Sequence, residues 1–274
     1  MKLKYLGTAA AEGYPAIFCS CENCRKASRL KGKNIRSRSQ AIIDDSLMID
    51  FPSDTYYHCL LNNIDLNKVH NILITHIHDD HFYPIELLYL NDNYSHPGNE
   101  YKLNLYGSVD VENVLSNLPQ MTEKYLNYVK INPFEPFEID KYTVTALKAY
   151  HGTENPYIYT VSDGERTILY AHDTDIFPAE TWDYMINNNI CFDLISMDCT
   201  EGAYEELKYH GHMCLGRNIT CRDRMLKEKI ISEKTKIVLN HFSHNGISSV
   251  YDEFKPIANN NGFEISYDGM EITV

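Results

Sequence analysis

The chain has 274 residues, 43% of them hydrophobic and 23% charged, which excludes a disordered composition and allows a sizeable buried core. Its 25 Lys and Arg against 38 Asp and Glu give a formal charge of -13, which disfavours nucleic acid and anionic membranes as general partners. No apolar run approaches the roughly 18 residues of a membrane span, and MKLKYLGTAAAEG lacks the apolar stretch of a signal peptide, so the cytoplasm is the expected compartment.

The chain opens on a strand pattern, KLKYL, followed by a turn with glycines. Next comes Cys19-Ser20-Cys21-Glu22-Asn23-Cys24, a C-x-C-x-x-C cluster. Three thiols this close in a cytoplasmic chain read as zinc ligands awaiting a fourth, not as a disulfide framework. A helical pattern covers Glu22 to Leu30, and AIIDDSLMID, Ala41 to Asp50, reads as one strand ending in an aspartate. The strand pattern from Val69 to Thr75 runs straight into THIHDDHF, which is H-x-H-x-D-H over His76, His78, Asp80 and His81. On extended backbone, residues two apart point to the same side, so His76 and His78 can grip one metal. Asp80 and His81 lie further round the turn and can grip a second. Phe82 and Tyr83 follow directly, placed either to narrow a pocket or to pack beneath the loop.

Further on, helical patterns cover Pro84 to Leu90, Val109 to Leu118, Ala179 to Asn187 and Leu215 to Glu228, with Asp110 and Ser249 as helix-start residues. Strand patterns cover Tyr101 to Gly107, Tyr142 to Tyr150, Pro156 to Gly164, Arg166 to Ala171, Phe192 to Asp198 and Lys236 to Asn240, with Asp163-Gly164 as a hairpin turn. No linker rich in Pro, Gly or Ser divides the chain, so a single mixed α/β domain spanning residues 1–274 is expected. Five strands end in histidine or aspartate: at His76 to His81, His151, Asp173, Asp198 and His241. A layered fold can bring such ends to one edge. Cys59, Cys191, Cys199, Cys214 and Cys221 are scattered and read as small buried hydrophobes. His58, His70, His96, His172 and His210 match no motif and read as structural or exposed.

The order and spacing of these residues resemble the metallo-β-lactamase superfamily over nearly the whole chain, from YLGTAAAEG to NHFSH. The resemblance implies an αββα sandwich with two divalent metals, Zn, Mn or Fe, at one edge. It implies that His76, His78 and His151 hold one metal, that Asp80, His81 and His241 hold the other, and that Asp173 bridges them. Asp173 is preferred to Asp175 because AHDT sits directly at a strand end. Asp50 matches the superfamily's early aspartate, with the expected task of orienting the ligand loop. Two divalent cations against Asp80 and Asp173 leave a net positive pocket suited to an anionic ester, with a metal-bound hydroxide as nucleophile.

The cysteine cluster, with His244 as fourth ligand, resembles one branch in particular: the phosphoribosyl cyclic phosphate phosphodiesterase associated with carbon–phosphorus lyase. That branch carries T-H-x-S-H near its end, where this chain has N-H-F-S-H from Asn240. The resemblance implies a structural zinc on Cys19, Cys21, Cys24 and His244. It also aligns Gly211-His212-Met213 with a histidine near the substrate, so His212 would protonate the leaving alkoxide or hold the phosphate. Asp198, at its strand end, is placed either to orient His212 or to shape the pocket. The expected function is a binuclear metal-dependent phosphodiesterase acting on a small anionic phosphodiester, such as a cyclic ribose phosphate or nucleotide-like ester. The alternatives are an acyl ester, thioester or lactone hydrolase of the same fold, or a metal-binding scaffold without activity. A tRNA-processing nuclease is disfavoured, because only 21 residues separate His151 from Asp173, too few for a long basic arm, and the net charge is acidic. A homodimer is the default oligomer.

Overall fold

In KLKYLG the side chains alternate between faces, as the pleat of a strand requires. Leu3 and Tyr5 are buried in one apolar cluster and Leu6 in another. This division runs through the fold, which we describe from a computed structural model over residues 1–98, 100–118, 124–206 and 210–274. Residues 207–209, inside the Asp198 to Gly216 segment, lie outside that description.

Among the described residues fourteen strands form two seven-stranded sheets. The first contains β1 (Lys2–Gly7), β2 (Gln40–Ile43), β3 (Leu47–Ile49), β4 (Asn71–Leu73), β5 (Leu103–Gly107), β6 (Leu126–Lys130) and β14 (Glu271–Thr273), in the order β14-β1-β2-β3-β4-β5-β6. The second contains β7 (Phe137–Ile139), β8 (Tyr142–Lys148), β9 (Tyr157–Ser162), β10 (Thr167–Ala171), β11 (Leu194–Asp198), β12 (Lys236–Asn240) and β13 (Glu264–Ile265), in the order β13-β12-β11-β10-β9-β8-β7. The α-helices are α1 (Glu22–Leu30), α2 (Thr55–Asn62), α3 (Val109–Ser116), α4 (Ala179–Asn187), α5 (Leu215–Lys227) and α6 (Tyr251–Asn260).

Between the sheets, Leu3, Tyr5, Ile43, Ile49 and Leu73 pack against Val144, Tyr159, Ile168, Leu194 and Val238. The outer face of the second sheet is covered by Trp182 and Met185 of α4, Cys221 and Met225 of α5, and Phe254 of α6. The outer face of the first sheet packs with Val111 of α3. The result is helix, sheet, sheet, helix: the αββα sandwich. Each fully buried aliphatic side chain contributes about 1.5–3 kcal/mol of transfer free energy.

Strand direction places the site. β3, β4 and β5 run parallel, as do β10, β11 and β12. β8 is antiparallel to β9, and β9 to β10, so β8 runs the same way as β10. The carboxyl ends of β8, β10, β11 and β12 therefore share one edge. The carboxyl end of β4 joins them: Tyr159 Oη donates to the Ile74 carbonyl at 2.6 Å and the Tyr157 amide to the Thr75 carbonyl at 2.9 Å. Ligands of open α/β sheets gather at such ends.

Some elements differ from the sequence reading. Ala41 to Asp50 is a hairpin, β2 and β3, whose turn takes Asp44 and Asp45 into the left-handed region at φ 47° and 57°. Aspartate tolerates that conformation without glycine. Pro84–Tyr89 is a 3-10 helix, and Ser108, not Asp110, caps α3 by accepting from the Asp110 amide. The start of α6 at Tyr251 follows Val250 and not Ser249. Cys191 is exposed and Cys59 half-buried, whereas Cys199, Cys214 and Cys221 are buried as expected. No helix among the described residues is long and apolar enough to cross a membrane.

Candidate metal centre

Three residues within two positions of a strand end adopt a conformation that side chains with a Cβ rarely take. Asp50 after β3, Asp173 after β10 and His241 after β12 have φ of 68°, 50° and 62°. Such a residue costs on the order of 1–3 kcal/mol and persists where surrounding structure fixes it. Here each turn aims a polar side chain across the sheet edge.

The histidines converge. His76 Nε2 lies 3.1 Å from His78 Nδ1, and His151 Nε2 lies 3.0 Å from the same atom. On the far side of Asp173, His81 Nε2 lies 3.2 Å from His241 Nε2. Asp80 Oδ2 is 3.3 Å from His81 Nε2 and 3.5 Å from His241 Nε2. Asp173 stands between the groups. Its Oδ2 touches His81 Nε2 and lies 3.1 Å from His241 and 4.0 Å from His76, while its Oδ1 lies 3.7 Å from His151. The ligand atoms of His76, His78 and His151 lie within 4.8 Å of one another, as do those of Asp80, His81, Asp173 and His241.

This donor set fits two cations. Buried Asp173 Oδ2 makes no well-directed hydrogen bond and has only ring nitrogens against it, a setting in which a carboxylate oxygen is well served by a cation. Imidazole nitrogens facing one another at about 3 Å need a shared proton or cation, and neutral imidazole with carboxylate suits zinc, manganese or iron. In the chain alone the groups sustain each other by charge. Burial acts against ionising Asp80 and Asp173, yet neighbouring imidazoles, His81 for Asp80 and His241 for Asp173 foremost, hold both well below the usual carboxylate range. Burial likewise acts against charging His81, but Asp173, Asp80 and Asp50 hold it well above the usual range. Burial pushes His76 down.

Around these residues lies a supporting layer. Asp50 Oδ1 accepts from the Thr75 amide and Thr75 Oγ1, both at 2.8 Å, and its Oδ2 meets His81 Nδ1 at 2.7 Å. His151 Nδ1 donates to the Gly211 carbonyl at 2.8 Å. Asp198 accepts from the Asp173, Thr200 and Met213 amides and lies 3.0 Å from His212 Nδ1. His212 is also 3.3 Å from Asp173 Oδ1. Burial disfavours its charged form, but Asp198, then Asp173 and Asp80, raise it to about 9. His78, Asp80, His151, Asp173, His212 and His241 all open on one pocket of about 420 Å³. Phe82 is buried under the loop and, like Tyr83, does not line that pocket, so the packing alternative holds for Phe82.

Cys19, Cys21, Cys24 and His244 also meet, with ligand atoms within 4.8 Å of one another. His244 Nδ1 lies 3.4 Å from both Cys19 Sγ and Cys21 Sγ. A tetrahedral zinc with bonds of about 2.0–2.3 Å separates its ligands by roughly 3.5–3.8 Å, so the set fits zinc. Against its own burial, hydrogen bonds from His244, the Cys24 amide and Cys19 bring the Cys21 thiol down to about 6.

The sequence reading missed Thr200, whose Oγ1 lies 2.9 Å from His241 Nδ1 and 3.2 Å from His212 Nδ1. It also gave no role to the His172 network. Buried His172 lies 2.7 Å from Ser196 Oγ and 3.1 Å from Asn240 Nδ2, so the residues preceding Asp173 and His241 are tied to each other. The only hint of Thr200 in the sequence was its position two residues after a strand-end aspartate.

Fold and site together define a metallo-β-lactamase-fold protein whose sheet edge gathers histidines and aspartates that could hold metal ions. Solved structures agree on the fold. A diphosphatase from the PhnP family aligns at a TM-score of 0.76 with 19% identity, over 100% of this chain and 97% of the other. Zn²⁺-bound PqqB from Methylobacterium extorquens aligns at 0.76 with 16% identity over 100% of both chains, and human tRNase Z short form (ELAC1) at 0.66 with 18% identity over 100% and 99%. More specifically, residues 39–243 match the family described as "Anti-Pycsar protein Apyc1", and the chain belongs to that family. Among curated proteins it is similar to Bacillus subtilis (strain 168) ribonuclease Z, 29% identical over 161 residues, which are 56% of this chain and 47% of the relative. The chain thus matches about half the length of that relative.

Proposed function

We propose that the chain is a binuclear metal-dependent phosphodiesterase, one hydrolase domain with a zinc knuckle at residues 19–24, acting on a small anionic phosphodiester such as a cyclic ribose phosphate or nucleotide-like ester. The observation that carries this is the meeting of two ligand groups on Asp173 with His212 Nδ1 only 3.3 Å away, all on one pocket. His76, His78 and His151 would hold one cation and Asp80, His81 and His241 the other. Bound there, two divalent cations supply Lewis acidity toward phosphoryl oxygens and an acidified water.

The chain's own residues do the rest. Asp50 and Thr75 hold the His81 ring so that Nε2 faces Asp173. Gly211 fixes His151 through Nδ1 and leaves Nε2 toward the site. His212, paired through Nδ1 with Asp198, would supply the proton that a departing alkoxide needs.

The test is metal content by elemental analysis, with bis(p-nitrophenyl) phosphate hydrolysis by wild type and Asp80→Ala. The expected result is about three metal ions per chain, two catalytic and one in the knuckle, and turnover lost in Asp80→Ala. One metal per chain and no turnover even with added Mn²⁺ would sink the reading. Similarity to ribonuclease Z favours a second reading, an RNA phosphodiester substrate. Faster cleavage of a tRNA precursor than of any mononucleotide ester would select it.

A further inference from the structure

Glu12 belongs to neither metal-ligand group, yet it touches the surroundings of both. Its Oε1 accepts from Ser243 Oγ at 2.5 Å and lies 3.5 Å from His244 Nε2. His244 presents its other nitrogen, Nδ1, to Cys19 and Cys21. That arrangement resembles the carboxylate–histidine–metal pattern, with the carboxylate at ion-pair distance from the ring's outer nitrogen. Glu12 also lines the pocket that holds Asp80, His151 and His212, beside Ser243 and Asn245.

The cysteine cluster grips this wall at a second point. Asn23, on α1 between Cys21 and Cys24, donates through Nδ2 to the carbonyls of His244 and Gly246 at 2.9 and 3.0 Å. The Asn245 amide donates to Ser243 Oγ at 3.1 Å, which turns that hydroxyl toward Glu12. One hydrogen bond from Ser243 and the nearby His244 ring thus orient the carboxylate. Both of its contacts use Oε1, so among the described residues Oε2 remains as an acceptor on the pocket wall.

We propose that Glu12 is a substrate-positioning residue: oriented by His244 of the cysteine cluster, its carboxylate accepts a hydrogen bond from a hydroxyl or amino group on the part of the substrate away from the reacting phosphate. This rests on the phosphodiesterase reading and adds a substrate property to it. The preferred ester carries a hydrogen-bond donor, as a nucleoside does, and a purely aromatic ester uses the metals alone.

Two esters with the same leaving group separate these effects. Thymidine 5′-(p-nitrophenyl phosphate) carries O–H and N–H donors, and bis(p-nitrophenyl) phosphate carries none. In the metal-loaded enzyme, the ratio of kcat/KM for the first over the second falls by about tenfold in Glu12→Gln, as loss of a charged acceptor implies, with the loss in KM. The ratio falls further in Glu12→Ala and recovers in part in Glu12→Asp. Zinc in the cysteine cluster is released to a chelator more readily in Glu12→Gln, with affinity lowered by about tenfold or more. A ratio unchanged within about twofold in both Gln and Ala variants overturns the substrate role, since a general folding defect slows both esters alike. A lowered ratio with unaltered zinc affinity overturns the link to the cluster. No turnover of either ester by fully metal-loaded wild type overturns the phosphodiesterase reading itself, and the inference with it.

Discussion

At Asp50 the whole side chain is spent on one loop: two hydrogen bonds to Thr75 and one to His81. Asp50→Asn keeps the shape and removes the charge that favours His81 with its proton on Nδ1. The expected outcome is a loss of about 10–100-fold in affinity for one active-site metal, read by competition with a chelator; unaltered affinity would reduce Asp50 to a packing residue. His212 permits a sharper test. If it protonates the leaving group, His212→Gln should slow an alkyl phosphodiester by about 10²–10⁴-fold and a p-nitrophenyl ester far less, because p-nitrophenolate departs without an acid. Equal losses on both would assign His212 to phosphate binding. His76, His78, Asp80 and His81 drew notice because histidine and aspartate are rare in so tight a run, whereas Asp50 and His212 were singled out only through the family resemblance. Thr200 and Glu12 were not legible. Threonine and glutamate are ordinary surface types, and Glu12 meets Ser243 across 231 positions of sequence.

Among elements, strands that end in candidate ligands were visible because apolar runs stop abruptly at polar residues, as ILIT stops at His76 and KIVLN at His241. Their pairing was not visible. The hairpin inside Ala41 to Asp50 depends on two aspartates taking left-handed turns, a choice that the apolar pattern does not encode. Helix α2 (Thr55–Asn62) went unread because its exposed Tyr56, Tyr57, Leu60 and Leu61 blur the amphipathic pattern. That helix buries His58, whose Nδ1 donates to Gln40 Oε1 at 2.6 Å and whose Nε2 lies 2.7 Å from Ser37 Oγ. Burial pushes His58 down to about 4. Its folded-state value is thus depressed below its unfolded one, near 6.5. Its stabilising contribution is full above pH 6.5 and is lost as pH falls toward about 4. Urea unfolding at pH 7.5 and pH 5 should show wild type losing on the order of 2 kcal/mol more than His58→Gln between the two. Parallel losses would mean that His58 does not report on this boundary.

For the molecule as a whole, the candidate ligands divide between the layers. His76, His78, Asp80 and His81 follow β4 of the first sheet, while His151, Asp173 and His241 follow β8, β10 and β12 of the second. Cations bound between them would tie sheet to sheet, so their removal should loosen the sandwich and not only silence the site. Stripping metal with a chelator should lower Tm by about 5 °C or more, and readdition should restore it. A Tm indifferent to metal would mean that the interlayer core alone fixes the sheets. One feature of the first sheet sets when any of this becomes available. Strand β1 pairs with β14, Lys2 opposite Thr273, and the second ligand group includes His241. Synthesis runs from the amino end at about 5–20 residues per second, so β1 waits some tens of seconds for its outer neighbour. A growing chain that has not yet passed Lys236 has the first ligand group within reach but not the second. On the proposed assignment, competence at this site would therefore arrive late, once His241 has been added and the second ligand group can close.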